Sequence, residues 1–317
     1  MDYIEKITQG LLAYPYEVTK RPDFDAFWEK NLKSIEGKPL EAERKKIDFP
    51  SPYIDVYDIS YLGADETRIH GWLLIPSFLK RETYPCLLHY HGFCGSRGEP
   101  IEFLSWAMTG CCVLSVDCRS QGGITGDAHC YDSGLITNVT SQGILDKDDY
   151  YFKHLYLDAV RALDYVCSLP EVEKQKIVVE GGSQGGALSL AAACLDDRPK
   201  AVMCDVPSNC QIDKRIEGEY GSFAAAANYL RRYPKDADKV FETVSYFDIV
   251  NMADKISCPV FASVGAKDDV CPARFFMGAY QRMNVLKQVQ VYPFFKHAVS
   301  SEHQEKKMAY LRKIIEE

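Results

Sequence analysis

The most constraining feature of this chain is a run of small residues, Gly181-Gly182-Ser183-Gln184-Gly185-Gly186, between an apolar run and an Ala/Leu-rich run. KIVVEGG reads as a buried strand and ALSLAAACL as a buried helix. A strand that passes straight into a helix through so tight a turn needs small residues two before and two after its apex, and Gly181 and Gly185 fill those places. The apex is then held strained, with the Ser183 hydroxyl presented above the sheet edge and a helix N-terminus behind it to favour a developing anion. A phosphate-binding loop requires Gly-Lys-Ser/Thr, which is absent, and a dinucleotide fingerprint spaces its glycines differently. The pattern predicts an activated serine.

The rest of the chain supplies strands and helices around this turn. PCLLHYHGF (85–93), CCVLSVDCR (111–119), KIVVEGG (176–182), AVMCDVP (201–207), CPVFASVG (258–265) and VQVYPF (289–294) read as strands. Residues 99–109, the stripe Tyr156, Val160, Leu163, Cys167, the segment 187–195 and MAYLRKII (308–315) read as helices between or after them. Apolar strands alternating with helices predict a mostly parallel, doubly wound α/β sheet covered on both faces. Before it, residues 54–75 read as an antiparallel hairpin. Residues 1–50 read as an N-terminal extension whose helix carries Phe24, Phe27, Trp28, Leu32 and Ile35 on one face, with Pro22 and Asp23 at its start. Residues 208–257, with the helical stretch FAAAANYLRRY, read as a helical cap inserted over the C-terminal edge of the sheet. The whole of 1–317 is expected to be one domain.

Serine needs a base. Two histidines follow Ser183 in the chain. His297 comes just after the last strand, where active-site loops gather; His303 falls among Ser301, Glu302, Gln304, Glu305 and two lysines and reads as a solvated helix face. His297 is therefore the expected base. The acid that orients it is expected in the loop after the preceding strand, where Asp268 and Asp269 both stand and spacing does not separate them. The oxyanion hole is expected from the backbone N–H of Gln184 and from the loop His91-Gly92-Phe93-Cys94-Gly95, at Phe93 or a neighbour. His89 and His91 share a strand face, but no further ligand stands at metal spacing beside them, so neither metal nor cofactor is expected.

Composition narrows the rest. A net charge of −8 offers no basic face for nucleic acid. No apolar run is long enough to span a membrane, and the first residues, MDYIEKITQG, do not read as a signal peptide. Twelve cysteines without a CxxC pair, among them Cys86, Cys111, Cys112, Cys194, Cys204 and Cys258 inside apolar runs, read as core packing in a reducing, cytoplasmic compartment. The sequon Asn138-Val139-Thr140 reads as chance.

The long segments DFDAFWEKNL, GWLLIP, GFCGSRGEP, GILDKDDYYFKHLYLDAVRALDYVCSLPEV, KIVVEGGSQGGALSLA, CDVPSNC, SYFDIVN and SVGAKDDVCP resemble the acetyl xylan esterases and cephalosporin C deacetylases of the α/β-hydrolase superfamily, over nearly the whole chain. The resemblance implies Ser183 as nucleophile, Asp268 rather than Asp269 as the acid, His297 as the base, and the amides of Phe93 and Gln184 as the oxyanion hole. It implies removal of acetyl groups from small substrates, acetylated xylo-oligosaccharides or cephalosporin C, with no cofactor, in an intracellular homo-oligomer, by resemblance a hexamer. A serine peptidase or amidase of the same fold, or a non-catalytic binding protein, are the alternative readings. Two departures stand out: Arg119-Ser120-Gln121 where members usually carry Arg-Gly-Gln, and Ala298 where they usually carry Glu.

Overall fold

In the computed structural model, residues 2–133 and 137–316 are described. Nine strands form one sheet in the order β1-β2-β3-β5-β4-β6-β7-β8-β9. Strands β4 (Tyr84–Tyr90), β5 (Cys112–Val116), β6 (Val172–Gly182), β7 (Pro199–Asp205), β8 (Val260–Gly265) and β9 (Lys287–Tyr292) are parallel. At one edge, β1 (Glu43–Lys46), β2 (Asp55–Leu62) and β3 (Arg68–Ile75) run antiparallel, β3 pairing with β5. The hairpin expected over 54–75 is the β2–β3 pair.

The apolar runs divide by period two between the two faces. Cys86, Leu88, Cys112, Leu114, Ile177, Val179, Val202, Cys204, Val260, Ala262 and Val264 face one core. Leu87, Val113, Val178, Ala201, Met203 and Phe261 face the other. The first core is covered by α2 (Phe24–Ile35), α4 (Tyr151–Ser168), α5 (Gln184–Leu195) and α10 (Ala273–Arg282). The second is covered by the short α3 (Leu104–Ala107), through Trp106, and by α11 (Ser301–Glu316), through Leu311 and Ile314. Residues 100–107 hold a 3₁₀ turn and one α-turn rather than the helix expected over 99–109. Gly110, with φ +92, ends them and starts β5.

The N-terminal segment adds α1 (Tyr3–Leu12), which the sequence reading did not mark, packed on α10 and β9. The Trp28 indole of α2 donates to the Tyr246 carbonyl at 3.0 Å, and its ring stacks on Tyr156 of α4. Four helices lie between β7 and β8: α6 (Ile212–Glu217), α7 (Ala224–Arg232), α8 (Ala237–Ser245) and α9 (Ile249–Met252). Asn138 of the sequon accepts from Thr140 N and donates to the Ser222 carbonyl, tying the long loop after β5 to this insertion. No helix of the described residues is long and apolar enough to cross a membrane.

Candidate active site

The turn from β6 into α5 places Ser183 at φ 58°, ψ −117°, a conformation that L side chains rarely adopt. The glycines around it are required by space. A Cβ on Gly185 would stand 1.9 Å from the Tyr90 carbonyl oxygen, and one on Gly181 2.5 Å from the same atom. The turn is held by Ser183 N–H donating to the Asp205 carbonyl at 2.8 Å and by Ser208 N–H donating to the Ser183 carbonyl at 3.0 Å.

The chain brings His297 onto this serine: His297 Nε2 lies 2.9 Å from Ser183 Oγ. Its Nδ1 lies 2.7 Å from Asp268 Oδ2. The Asp268 side chain is 1 % exposed, and its other oxygen accepts from the N–H groups of Val270 and Cys271, at 2.8 Å each. Asp269, left open by spacing, is exposed and lies 3.4 Å from the Lys296 ammonium. The loop with His297 is stitched to the loop with Asp268 through backbone: Ala266 N–H to Tyr292 O and Lys267 N–H to Phe295 O, both 3.0 Å. A Cβ at Gly265 would meet the Lys296 carbonyl oxygen at 2.0 Å, so this close passage needs glycine. Ala298 N–H donates to Lys296 O at 2.9 Å, so the loop is tied by main chain at this position.

Gln184 opens α5, so its N–H is one of the helix's unpaired first donors, beside the serine. Across from it, a Cβ on Gly92 would lie 3.9 Å from Ser183 Cβ, which puts the loop carrying Phe93 against the Ser183 turn. A residue that sequence reading noted only as part of a motif links these two loops. Gln121 accepts from Cys94 N–H at 2.8 Å, exchanges amide hydrogen bonds with Gln184 at 2.9 and 3.1 Å, and donates to the Tyr151 hydroxyl at 2.9 Å. Ser120 before it has φ 50°, the left-handed region in which the usual glycine is unstrained. Cys271 is buried beside the serine, Sγ 3.9 Å from Oγ, and burial raises its thiol pKa, so it stays neutral.

His303 is a correction. It is not on a solvated face: its side chain is fully buried, with Nε2 2.7 Å from Asp205 Oδ1 and Nδ1 2.9 Å from the Tyr292 hydroxyl. Lys307, one turn on, reaches Asp205 at 2.7 Å and also pairs with Glu180, which sits 2.6 Å from His89 Nδ1. Ser263 donates to Asp205 as well. Burial alone would raise the carboxyls of Glu180 and Asp205, but Lys307 and the histidines beside them win: Glu180 is held down at about 2 and Asp205 lower still. The same Asp205 supplies the carbonyl that holds Ser183 N–H, so α11 braces the Ser183 turn from behind. The spacing of His303 and Lys307, i and i+4, with Leu311 and Ile314 was the available signal that this helix turns one face to the core.

Comparison with known proteins agrees with the geometry. The family profile described as acetyl xylan esterase (AXE1) matches residues 1–314. The acetyl xylan esterase from Paenibacillus sp. R4 superimposes with a TM-score of 0.92 at 38% identity, over 96% of this chain and 98% of that one. Acetyl xylan esterase 1 from Thermoanaerobacterium sp. JW/SL YS485 superimposes with a TM-score of 0.91 at 26% identity, with the same coverage. The acetyl esterase Axe7A of Xylanibacter ruminicola is 31% identical over 314 residues, 95% of this chain and 69% of that protein.

Proposed function

Given that the chain belongs to the acetyl xylan esterase (AXE1) family and is a carboxylic ester hydrolase of that type with the α/β-hydrolase fold, we propose that Ser183 is its nucleophile, His297 its general base and Asp268 the carboxylate that orients the imidazole. The observation that carries this reading is the unbroken path from Asp268 through His297 to Ser183, 2.7 and 2.9 Å long, ending on a serine held in a strained turn before a helix N-terminus.

In the mechanism, His297 Nε2 takes the Ser183 proton as Oγ attacks the acetyl carbonyl. The resulting oxyanion lies between the N–H groups of Phe93 and Gln184, each such donor contributing about 10²–10³ in rate. His297 then passes the proton to the leaving sugar oxygen, and the acetyl group stays on Ser183. Water, deprotonated by the same imidazole, releases acetate. Asp268 keeps the proton on Nδ1 and steadies the imidazolium at each step. Gln121 is a positioning residue: it holds the two donor loops at a fixed separation.

The substrates in this reading are acetyl esters of small carbohydrates such as acetylated xylo-oligosaccharides, with cephalosporin C as a second acetyl donor. Cys271, so close to Oγ, supports a short acyl group. The chain acts as a single domain with an N-terminal extension (1–50), and the helices within 208–257 form a cap beside the site, an assignment supported by Arg215 donating to Ser208 and to the Val270 carbonyl next to Cys271. Twelve free cysteines support a reducing compartment. Hydrolysis of acetyl, butyryl and octanoyl aryl esters, with Ser183→Ala as control, tests the reading. Turnover should fall with acyl length and vanish in the variant; faster octanoyl than acetyl turnover would remove the substrate assignment.

A further inference from the structure

Away from Ser183, Asp65, His129 and His154 each present one potential ligand atom, all within 4.8 Å of one another. They come from three separate places: the turn between β2 and β3, the long loop after β5, and the first turn of α4. This is why no spacing in the sequence announces them. His89 and His91, the pair the sequence does announce, each have another partner: Glu180 for His89, and Cys118 N–H, donating to Nε2, for His91.

His154 is 94% buried by its 6% exposure, and its Nε2 has no hydrogen-bond partner among the described residues. Its Nδ1 lies 3.4 Å from Asp65 Oδ2. Neither neutral tautomer is at ease here. A proton on Nδ1 serves Asp65 but leaves the Nε2 lone pair unpaired. A proton on Nε2 leaves that N–H unpaired and sets the Nδ1 lone pair against a carboxylate. The His129 ring lies 4.0 Å from the His154 ring, centroid to centroid. Its Nε2 is 2.8 Å from Asp149, and a carboxylate behind an imidazole is the usual arrangement that orients a metal-binding histidine. Both Asp65 oxygens also accept from the Arg119 guanidinium, at 2.9 and 3.2 Å. The charges around the cluster are those of Asp65, Asp127, Asp149 and Asp158 against the Arg119 guanidinium and the Lys153 ammonium, so carboxylates are in excess.

We propose that Asp65, His129 and His154 form a site for one divalent transition cation of the Zn²⁺ type. Two imidazoles and one carboxylate match its mixed nitrogen and oxygen preference, and water completes the shell; Ca²⁺ and Mg²⁺, which take oxygen ligands, are disfavoured. The cation fastens the β2–β3 turn and the loop after β5 to α4. It takes no part in acyl transfer, and the proposal stands apart from the roles given to Ser183, His297 and Asp268.

The test uses the full chain, stripped with a chelator and dialysed, then titrated with Zn²⁺ alone by calorimetry and with Co²⁺ by visible absorption. The site should take one equivalent at micromolar Kd or tighter, and Co²⁺ should show the ligand-field bands of nitrogen and oxygen ligation. The half-exposed His129 is the variant least disturbing to the fold: His129→Ala should weaken binding at least tenfold. Asp149→Asn should weaken it by about tenfold, the usual loss of an orienting carboxylate. Cys130→Ser, at the exposed thiol next to His129, should leave the titration unchanged. Absence of saturable binding below millimolar Zn²⁺, a His129→Ala curve superimposable on wild type, or loss of binding in Cys130→Ser would each overturn the proposal.

Discussion

At the scale of single residues, the backbone angle of Ser183 and its hydrogen bond to His297 imply a sharp separation between activity and stability. Ser183→Ala should lower kcat on aryl acetates by about 10⁴-fold or more while leaving the urea midpoint close to wild type, because the hydroxyl adds little to packing. Ser120 has the opposite character. It sits at φ 50° where relatives usually carry glycine, and a non-glycine residue there is strained by about 1 kcal/mol. Ser120→Gly should therefore raise the urea midpoint with a gain of up to about 1 kcal/mol, and an unchanged or lower midpoint would show the strain to be absent. The residues around Ser183 were legible in sequence because local sterics dictate them: only small residues pass at Gly181 and Gly185, and only His297 follows a strand at the right edge. The choice of Asp268 over Asp269 was not legible from spacing. It turns on which carboxylate the loop turns inward to meet two backbone N–H groups, a tertiary fact.

At the scale of elements, α11 is the place where sequence and structure part. Ser301, Glu302, Gln304 and Glu305 suggest a polar helix, yet His303 among them and Lys307 two positions beyond are buried on Asp205 and Glu180. Polar side chains on a core-facing stripe are invisible to a hydrophobic pattern, because their burial depends on counter-charges contributed by distant strands. His303→Ala should then cost stability, about 2–3 kcal/mol for a buried carboxylate that loses a partner, where a solvated histidine would cost almost nothing. His297→Ala should do the reverse, folding normally and hydrolysing almost nothing. Comparing urea midpoints with kcat for the two variants separates the roles. The same cluster sets an acid limit. Folding depresses the Glu180 pKa from an ordinary 4.5 to about 2, so its contribution is complete above about pH 5 and is lost as the pH falls toward 2. Asp205 acts in the same sense. Stability measured between pH 5 and 2.5 should fall steeply in the wild type and less steeply in Glu180→Gln.

At the scale of the whole molecule, the parallel strands were legible because both their faces are buried, which writes continuous apolar runs into the chain. The short edge strand β1 was not: ERKK is exposed at all four positions and carries no apolar signal, and its charges protect the open edge of the sheet from pairing with other chains. The other edge, β9, is covered by α1, which presents Tyr3 and Ile4 to solvent, with Phe294 stacked on Tyr3. Such exposed apolar side chains suit burial between subunits, and light scattering should give a multiple of 35.9 kDa; a single species at that mass would remove the proposal of a homo-oligomer.

The bracing of the Ser183 turn by α11 also has a consequence in time. Lys307 meets Glu180 across 127 positions of chain and Asp205 across 102. During synthesis, which adds about 5–20 residues per second, both carboxylates emerge many seconds before the Lys307 ammonium that pairs with them. Until Lys307 arrives, closing the central strands would bury two carboxylates without that counter-charge, which burial penalises. His297 precedes Lys307 by only ten positions, so the contacts in front of Ser183 and the brace behind it are completed almost together.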